Sequence, residues 1–465
     1  MVTVQLPVFN ERHVVARLLD AVCQLEWPSN RFEVQVLDDS TDDTTQLLTE
    51  LVNKWKLQGV NIELIHRDHR TGFKAGALDY GLQKANGEFV ALFDADFVPE
   101  SDFLHQMMPH FDRPKIGMVQ ARWGHLNHRD GLLTAISAHL LDGHFVLEHT
   151  ARHRSGRFFN FNGTAGIWRI QCVTDAGGWQ HDTLTEDVDL SYRAQLSGWQ
   201  FVYRPEIVVA SELPDNMRAF KVQQHRWAKG TIQTARKLLR LILCAPIHPR
   251  IKLEALVHLT SNFAYPMVLL LALLLPLRIA MRDIAGWDHI LVWDLLAFGM
   301  TTGSVMCFYG LAHREVSGSA LPALKRIPML MALGIGLSVN QTKAVIEGLF
   351  GNDVTFQRTP KKGSVQPAST NQAAPFHWTT AVELALATYL GTATVWALWA
   401  GAFASVPFVL LFATGFAYVG FGNLYTDSPI WGRHEKGLGT INQSGPLGAG
   451  SSVASIPTRR SSDAA

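Results

Sequence analysis

Over roughly the first 240 positions, apolar residues come in short continuous runs separated by stretches of helical period; beyond about position 255 they come in long blocks. The short runs are Val2 to Leu6, Phe32 to Leu37, Val60 to His66 and Glu88 to Phe93. Between them the pattern predicts helices from Glu11 to Leu25, from Asp43 to Trp55 and from Lys74 onward. Strands that are apolar along their whole length, alternating with helices, predict an α/β domain with a mainly parallel sheet covered on both faces. Ligands of such sheets bind at the carboxyl ends of the strands. The polar clusters Asn10-Glu11, Asp38-Asp39-Ser40 and Asp94-Ala95-Asp96 fall at those ends.

The long blocks run from Ala255 to Ala280, Ile290 to His313, Thr379 to Ala402 and Ser405 to Gly422. Each approaches the twenty or so residues that cross a bilayer, which predicts four spans and an integral, multi-pass membrane protein. Residues 327–350 begin apolar but carry Asn340, Gln341, Lys343 and Glu347, and read as one amphipathic interface helix. With the soluble domain on the cytoplasmic side, His313-Arg314, Lys325-Arg326, Arg358, Lys361 and Lys362 all stay inside, as the positive-inside tendency favours. The expected organisation is a cytoplasmic domain over 1–240, a membrane region over 241–425 and a disordered Gly/Ser-rich tail over 426–465.

A formal net charge of +1 gives a nucleic-acid partner no electrostatic support. Cys23, Cys172, Cys244 and Cys307 lack paired spacing, which argues against a zinc site or a disulfide framework. The strand-like run Val2 to Asn10 reads as neither signal peptide nor leading anchor, so the expectation is either a cytosolic N-terminus or, the favoured reading, a missing upstream segment.

Asp94 and Asp96, spaced i, i+2 at a strand's end, point the same way and could clamp a hard divalent cation carrying a phosphate, although such pairs also occur as solvated turn residues. Thr185-Glu186-Asp187 reads as a helix start with Thr185 at the N-cap, and its carboxylates suit the helix dipole. For Asp187 to act as a base, burial or a neighbouring like charge must raise its pKa. Gln223, Arg226 and Trp227 share one helix face, offering a fork for diphosphate oxygens and an indole for a sugar ring, or else a membrane-interface anchor.

Taken in order, Asp38-Asp39-Ser40, Gly72-Phe-Lys-Ala-Gly-Ala77, Asp94-Ala-Asp96, Phe161-Asn-Gly-Thr-Ala-Gly166, Thr185-Glu-Asp187 and Gln223-x-x-Arg226-Trp227 resemble the D, D, D, Q-x-x-R-W signature of membrane-embedded family 2 glycosyltransferases. The runs Val36 to Asp42, Val119 to Trp123 and Gln223 to Trp227 are most similar to the plant cellulose-synthase-like A and C branch of mannan, glucomannan and glucan synthases.

The resemblance implies a GT-A nucleotide-diphospho-sugar transferase domain followed by α-helical transmembrane segments. It implies that Asp38, Asp39 and Lys74 hold the nucleotide and its neighbouring groups, and that Asp94 and Asp96 bind the diphosphate through Mn²⁺ or Mg²⁺. Asp187 would deprotonate the acceptor, Gln223 and Arg226 would grip the diphosphate, and Trp227 with Glu186 would meet the acceptor sugar. Phe356-Gln-Arg-Thr-Pro-Lys361 resembles the gating loop of cellulose synthases, with Phe356, Arg358, Thr359 and Lys361 its candidate contacts; a basic connector is the other reading.

The expected activity is inverting, metal-dependent transfer of a hexose from GDP-mannose or UDP-glucose to a growing β-1,4-linked polysaccharide, with translocation through the bilayer. The membrane would be a bacterial inner membrane, or the Golgi in a plant. Transfer of one sugar to a membrane lipid, and an inactive membrane scaffold, are the alternatives.

Overall fold

The computed structural model describes residues 1–285, 288–351, 353–354 and 377–427. Its core is a seven-stranded sheet of β1 (Val2–Val8), β2 (Phe32–Asp38), β3 (Ile62–His66), β4 (Phe89–Leu92), β5 (Ile116–His125), β6 (Gly166–Arg169) and β7 (Gln200–Ser211). The spatial order is β3-β2-β1-β4-β6-β5-β7. β1, β2, β3 and β4 are parallel, as are β5 and β7, while β6 runs antiparallel between β4 and β5. Every residue of β2 is buried, including Glu33 and Gln35. Those two polar side chains are satisfied across the sheet: Thr3 Oγ1 and the Asn86 amide donate to Glu33, and Gln5 Nε2 donates to Gln35 at 3.0 Å. Buried polar groups of this kind are tolerated because their partners are supplied by the neighbouring strand.

The four expected strands hold to within a few residues, β5, β6 and β7 lie beyond that set, and among these β6 runs antiparallel to its neighbours. Its reversed direction brings the loop before it, Asn162 to Ala165, to the carboxyl ends of β1 and β4. Ala165 N donates to Leu92 O at 2.8 Å, which ties that loop to the end of β4.

Among the described residues, four helical stretches are long and apolar enough to cross a membrane, Pro249–Met281, Leu295–Ser317, Trp378–Trp399 and Val406–Leu424, and a fifth if the bent pair Leu321–Gly336 and Ser338–Phe350 counts as one span. The first four correspond to the four expected blocks. Residues 327–350 differ from expectation, because the helix there is two, Leu321–Gly336 and Ser338–Phe350, bent by 44°. The first half packs against Val406–Asp427, where a Cβ on Gly336 would stand 2.1 Å from Gly415 O and one on Gly415 would stand 2.3 Å from Ala332 O. Close crossings built on small residues are how apolar helices pack without a hydrophobic driving force. The second half turns instead to the long helix Met217–Cys244, so one straight amphipathic rod cannot serve both partners. The expected gating-loop residues 356–361 and the tail from 428 onward lie outside the described residues; residues 426 and 427, expected in the tail, end the helix Val406–Asp427.

An ion pair ties the Met217–Cys244 helix to the helix bundle. Lys221 Nζ donates to both carboxylate oxygens of Glu383 at 2.7 and 2.9 Å, and both residues are buried. Glu383→Ala strands a buried ammonium and is expected to cost about 3–5 kcal/mol. The double variant Lys221→Met, Glu383→Leu recovers most of that loss. Thermal melting of both variants in detergent checks the pair; equal destabilisation by the single and double changes would contradict it.

Candidate active site

The cleft forms where the carboxyl ends of β1 and β4 meet the loop before β6 and the start of the helix Glu186–Leu196. It encloses about 170 Å³. Asp94 and Asp96 stand on the turn leaving β4, with Phe97 N donating to Asp94 O at 3.0 Å. The Asp94 amide donates to Thr164 Oγ1 at 2.9 Å. Asp96 is buried, its Oδ2 accepting from the Glu212 amide at 3.3 Å just past the end of β7.

Lys74, on the first turn of the helix Phe73–Leu82, donates to Asp94 Oδ1 and to Gly163 O and lies 4.0 Å from Glu186. Gly163 has φ +81°, a conformation glycine adopts without strain, and a Cβ there would come within 3.1 Å of Asp187 Oδ2. The glycine therefore lets the loop pass directly over the Asp187 carboxylate.

Asp187 sits in the first turn of its helix, where Oδ1 accepts from the Val188 amide at 2.8 Å. Burial, reinforced by Glu186, pushes its pKa up to about 7, against the opposing pull of Lys74. The desolvation that a base at this position requires is thus present, and it outweighs the pull of Lys74, the Val188 amide and Arg226. Thr185 occupies the N-cap position without a capping hydrogen bond; its hydroxyl lies 3.3 Å from Thr234 Oγ1 instead. The Met217–Cys244 helix presses close enough there that a Cβ on Gly230 would stand 2.5 Å from Thr185 Cγ2.

That same helix delivers Gln223, Arg226 and Trp227 to the cleft. Burial lowers the pKa of Arg226, while Glu186, Asp94, Asp187 and Asp96 push it back up. The guanidinium is therefore the positive centre of a four-carboxylate cluster. Trp227 faces Trp123 at the end of β5, ring centroids 6.4 Å apart. Beneath this pair a second cavity of about 300 Å³ runs from Asp187 and Trp227 past His258 and Tyr265 to Gly334 and Leu337.

Of the expected site residues, Asp39, Lys74, Asp94, Asp96, Glu186, Asp187, Gln223, Arg226 and Trp227 converge on one cleft. Asp38 does not reach it. Its carboxylate is fully buried, accepting from the Ser40 amide at 3.0 Å and Thr45 Oγ1 at 2.7 Å, with His66 Nδ1 at 2.8 Å. Successive residues of a strand face opposite ways, so only one of the Asp38-Asp39 pair can line the cleft. Asp39 does so, its two carboxylate oxygens accepting from Arg67 Nε and Nη2 at 2.7 and 2.6 Å.

The residues that motif reading left without a role are Arg67, Glu212 and Trp123. Arg67 and Glu212 belong to no motif, and Trp123 stood inside the quoted run Val119 to Trp123. Phe356, Arg358, Thr359 and Lys361 lie outside the described residues.

The donor set at Asp94 and Asp96 is all carboxylate oxygen, which suits a hard divalent cation that leaves its other positions to diphosphate and water. The ion pair that Asp94 makes with Lys74 is of a kind such a cation would replace.

Residues 1–230 match the family model described as glycosyltransferase like family 2. Glucomannan 4-beta-mannosyltransferase 2 of Arabidopsis thaliana is 36% identical over 392 residues, covering 80% of this chain and 69% of that protein. The chain belongs to glycosyltransferase family 2, and its mainly parallel sheet has the GT-A fold. Within that family it is similar to the glucomannan 4-beta-mannosyltransferases of the cellulose-synthase-like A branch. Glucomannan 4-beta-mannosyltransferase 1 of Cyamopsis tetragonoloba is 44% identical over 263 residues, 56% of this chain and 50% of that protein. The chain thus spans about half the length of most curated relatives it matches. Among solved structures, the mannosyltransferase PcManGT from Pyrobaculum calidifontis, in complex with GDP-Man and Mn²⁺, aligns with a TM-score of 0.50 at 21% identity, over 76% of this chain and 88% of that one. At that identity the likeness speaks to fold alone.

Proposed function

We propose that the chain is an inverting, metal-dependent glycosyltransferase that moves a hexose from a nucleotide-diphospho-sugar onto a growing β-1,4-linked polysaccharide. The observation that carries this reading is the convergence of Asp187, Arg226 and Trp227, from two helices, on the cleft that holds Asp94 and Asp96. Family 2 membership and the glucomannan 4-beta-mannosyltransferase relatives support polymer synthesis, and make GDP-mannose the first donor to try, ahead of UDP-glucose.

In this mechanism Asp187 takes the proton from the acceptor hydroxyl as that oxygen attacks the anomeric carbon from the face opposite the diphosphate. A base with a pKa near the working pH suits the task. Arg226 and Gln223 hold the departing diphosphate, whose charge develops as the bond breaks. Lys74 bonds the loop carbonyl of Gly163 and so keeps the donor side of the cleft in place. Asp94 and Asp96 would hold a divalent cation, which when bound offsets diphosphate charge. Trp227 and Trp123 offer flat apolar faces on which the acceptor sugar is oriented. A single displacement of this geometry turns an α-linked donor into a β-linked product.

The cavity running from Trp227 toward Gly334 and Leu337 supports an exit path for the polymer between the helices. The test is transfer from radiolabelled GDP-mannose and UDP-glucose by membranes carrying the chain, with Mn²⁺ or Mg²⁺ and with chelator. The expected result is label in insoluble polymer that β-mannanase releases, lost with chelator. Label confined to the lipid extract would replace this reading with single-sugar transfer to a lipid. Label in neither fraction would favour a silent scaffold.

A further inference from the structure

A further cavity, of about 660 Å³, lies on the far side of the helix Leu132–Asp142. That helix separates two spaces. Ser137, Leu140 and Leu141 line the cavity below Trp227, whereas Ala135, Ala138, His139 and Asp142 line this one. The remaining walls come from the end of β5, from the loop carrying His128 and Arg129, and from two membrane-region helices that contribute His313 and Arg326.

The charged groups of the lining are mostly basic. Three arginines, Arg122, Arg129 and Arg326, stand against one carboxylate, Asp142. Asp142 is itself occupied, with His125 Nε2 at 3.2 Å and Arg122 Nη1 at 4.0 Å. Arg326 Nη1 lies 3.0 Å from His139 Nε2, and the His139 ring meets His313 edge-on at 4.6 Å. His139 is 4% exposed, and its Nδ1, like the Nδ1 atoms of His125 and His313, is buried without a hydrogen-bond partner among the described residues. With Nε2 accepting from Arg326, a neutral His139 carries its proton on Nδ1, and a buried N–H without a partner is costly unless an acceptor reaches it.

A metal ion is the obvious alternative, since donor atoms of His139, Asp142 and His313 all lie within 4.8 Å of one another. Against it, Arg326 points at His139 and Arg122 flanks Asp142, so a dication would be placed against two guanidinium groups. An anion meets the opposite field, and neutral imidazoles can turn an N–H toward it. Burial, with His313 and Arg326, lowers the His139 pKa to about 4, so the ring is neutral near pH 7.

The location says where that anion comes from. The candidate span Leu295–Ser317 ends in the cavity wall at Val316 and Ser317. Leu311, Val316 and Leu321, on and just past that helix end, are 52%, 41% and 58% exposed. The cavity therefore opens where an apolar span gives way to basic residues, the level of phospholipid headgroups, and basic pockets between membrane helices are suited to them. We propose that the cavity bounded by His139, His313, Arg129 and Arg326 binds the phosphate of an anionic phospholipid headgroup and thereby braces the wall of the acceptor cavity.

The test uses the full chain in detergent, with native mass spectrometry reading bound phosphatidylglycerol against phosphatidylcholine, and inorganic phosphate as a competitor in a separate arm. The expected result is one tightly held phosphatidylglycerol, bound about tenfold more weakly by Arg326→Gln and by His139→Gln. Arg129→Gln, on the exposed loop, is expected to weaken binding about threefold without touching packing, so the test survives even if the buried variants misfold. Equal retention of both lipids, or unchanged phosphatidylglycerol binding in all three variants, overturns the proposal. Inorganic phosphate that binds the cavity while phosphatidylglycerol does not overturns the lipid source. Stoichiometric Zn²⁺ lost in His139→Gln, with no anion effect, overturns the anion itself.

Discussion

Asp187→Asn is expected to lower the transfer rate by about 10²–10⁴-fold, the range a positioned general base contributes. The amide oxygen can still accept from Val188 N, so the helix start and the cleft shape survive, and donor binding is expected to stay close to that of the unaltered protein. The companion observable is pH. With the Asp187 pKa at about 7, kcat/KM for the acceptor rises about tenfold per pH unit below that point and levels above it.

Stability runs the other way. The site favours the neutral carboxyl, so that contribution is fully present below the ordinary carboxylate range and is lost as pH rises through about 7. The Asn variant loses both dependences. A rate that falls only a few-fold, or a profile unchanged in the variant, would assign the proton to another group.

Arg226→Ala is expected to lower kcat by about 10²–10³-fold, as when a donor to developing negative charge is removed. It also removes the positive centre among Glu186, Asp94, Asp187 and Asp96. Without it the Asp187 pKa climbs, and the rising limb of the pH profile moves to higher pH. Arg226→Lys restores the charge but not the planar fork, so the limb returns toward its original position while much of the rate stays lost. Steady-state rates across pH for the three proteins separate the two contributions; a limb that does not move in Arg226→Ala would show that the guanidinium and Asp187 do not share a field.

The parts that were legible in the chain are those whose signal is local. Runs such as Val2 to Leu6 and Phe32 to Leu37 declare buried strands because every residue in them is apolar or paired across the sheet. Gln223, Arg226 and Trp227 declare one helical face because 3.6-residue periodicity requires it. β6 was not legible: four residues, Gly166–Arg169, carry no pattern that reveals an antiparallel strand wedged between β4 and β5. The bend near Leu337 escaped for a similar reason, because each half of residues 321–350 is set by a different packing partner.

Residue types and spacing by themselves determined which carboxylates, guanidinium and indole were available, and which ends of which elements carried them. Only the tertiary structure decided that Asp39 and not Asp38 faces the cleft, since that depends on the register of β2 against β1. It alone brought Lys74, Glu186 and burial together around Asp187, and gathered His125, His139, His313 and Arg326 from four separate elements into one basic cavity. Periodicity is a property of neighbours along the chain, whereas a pKa or an electric field sums over neighbours in space.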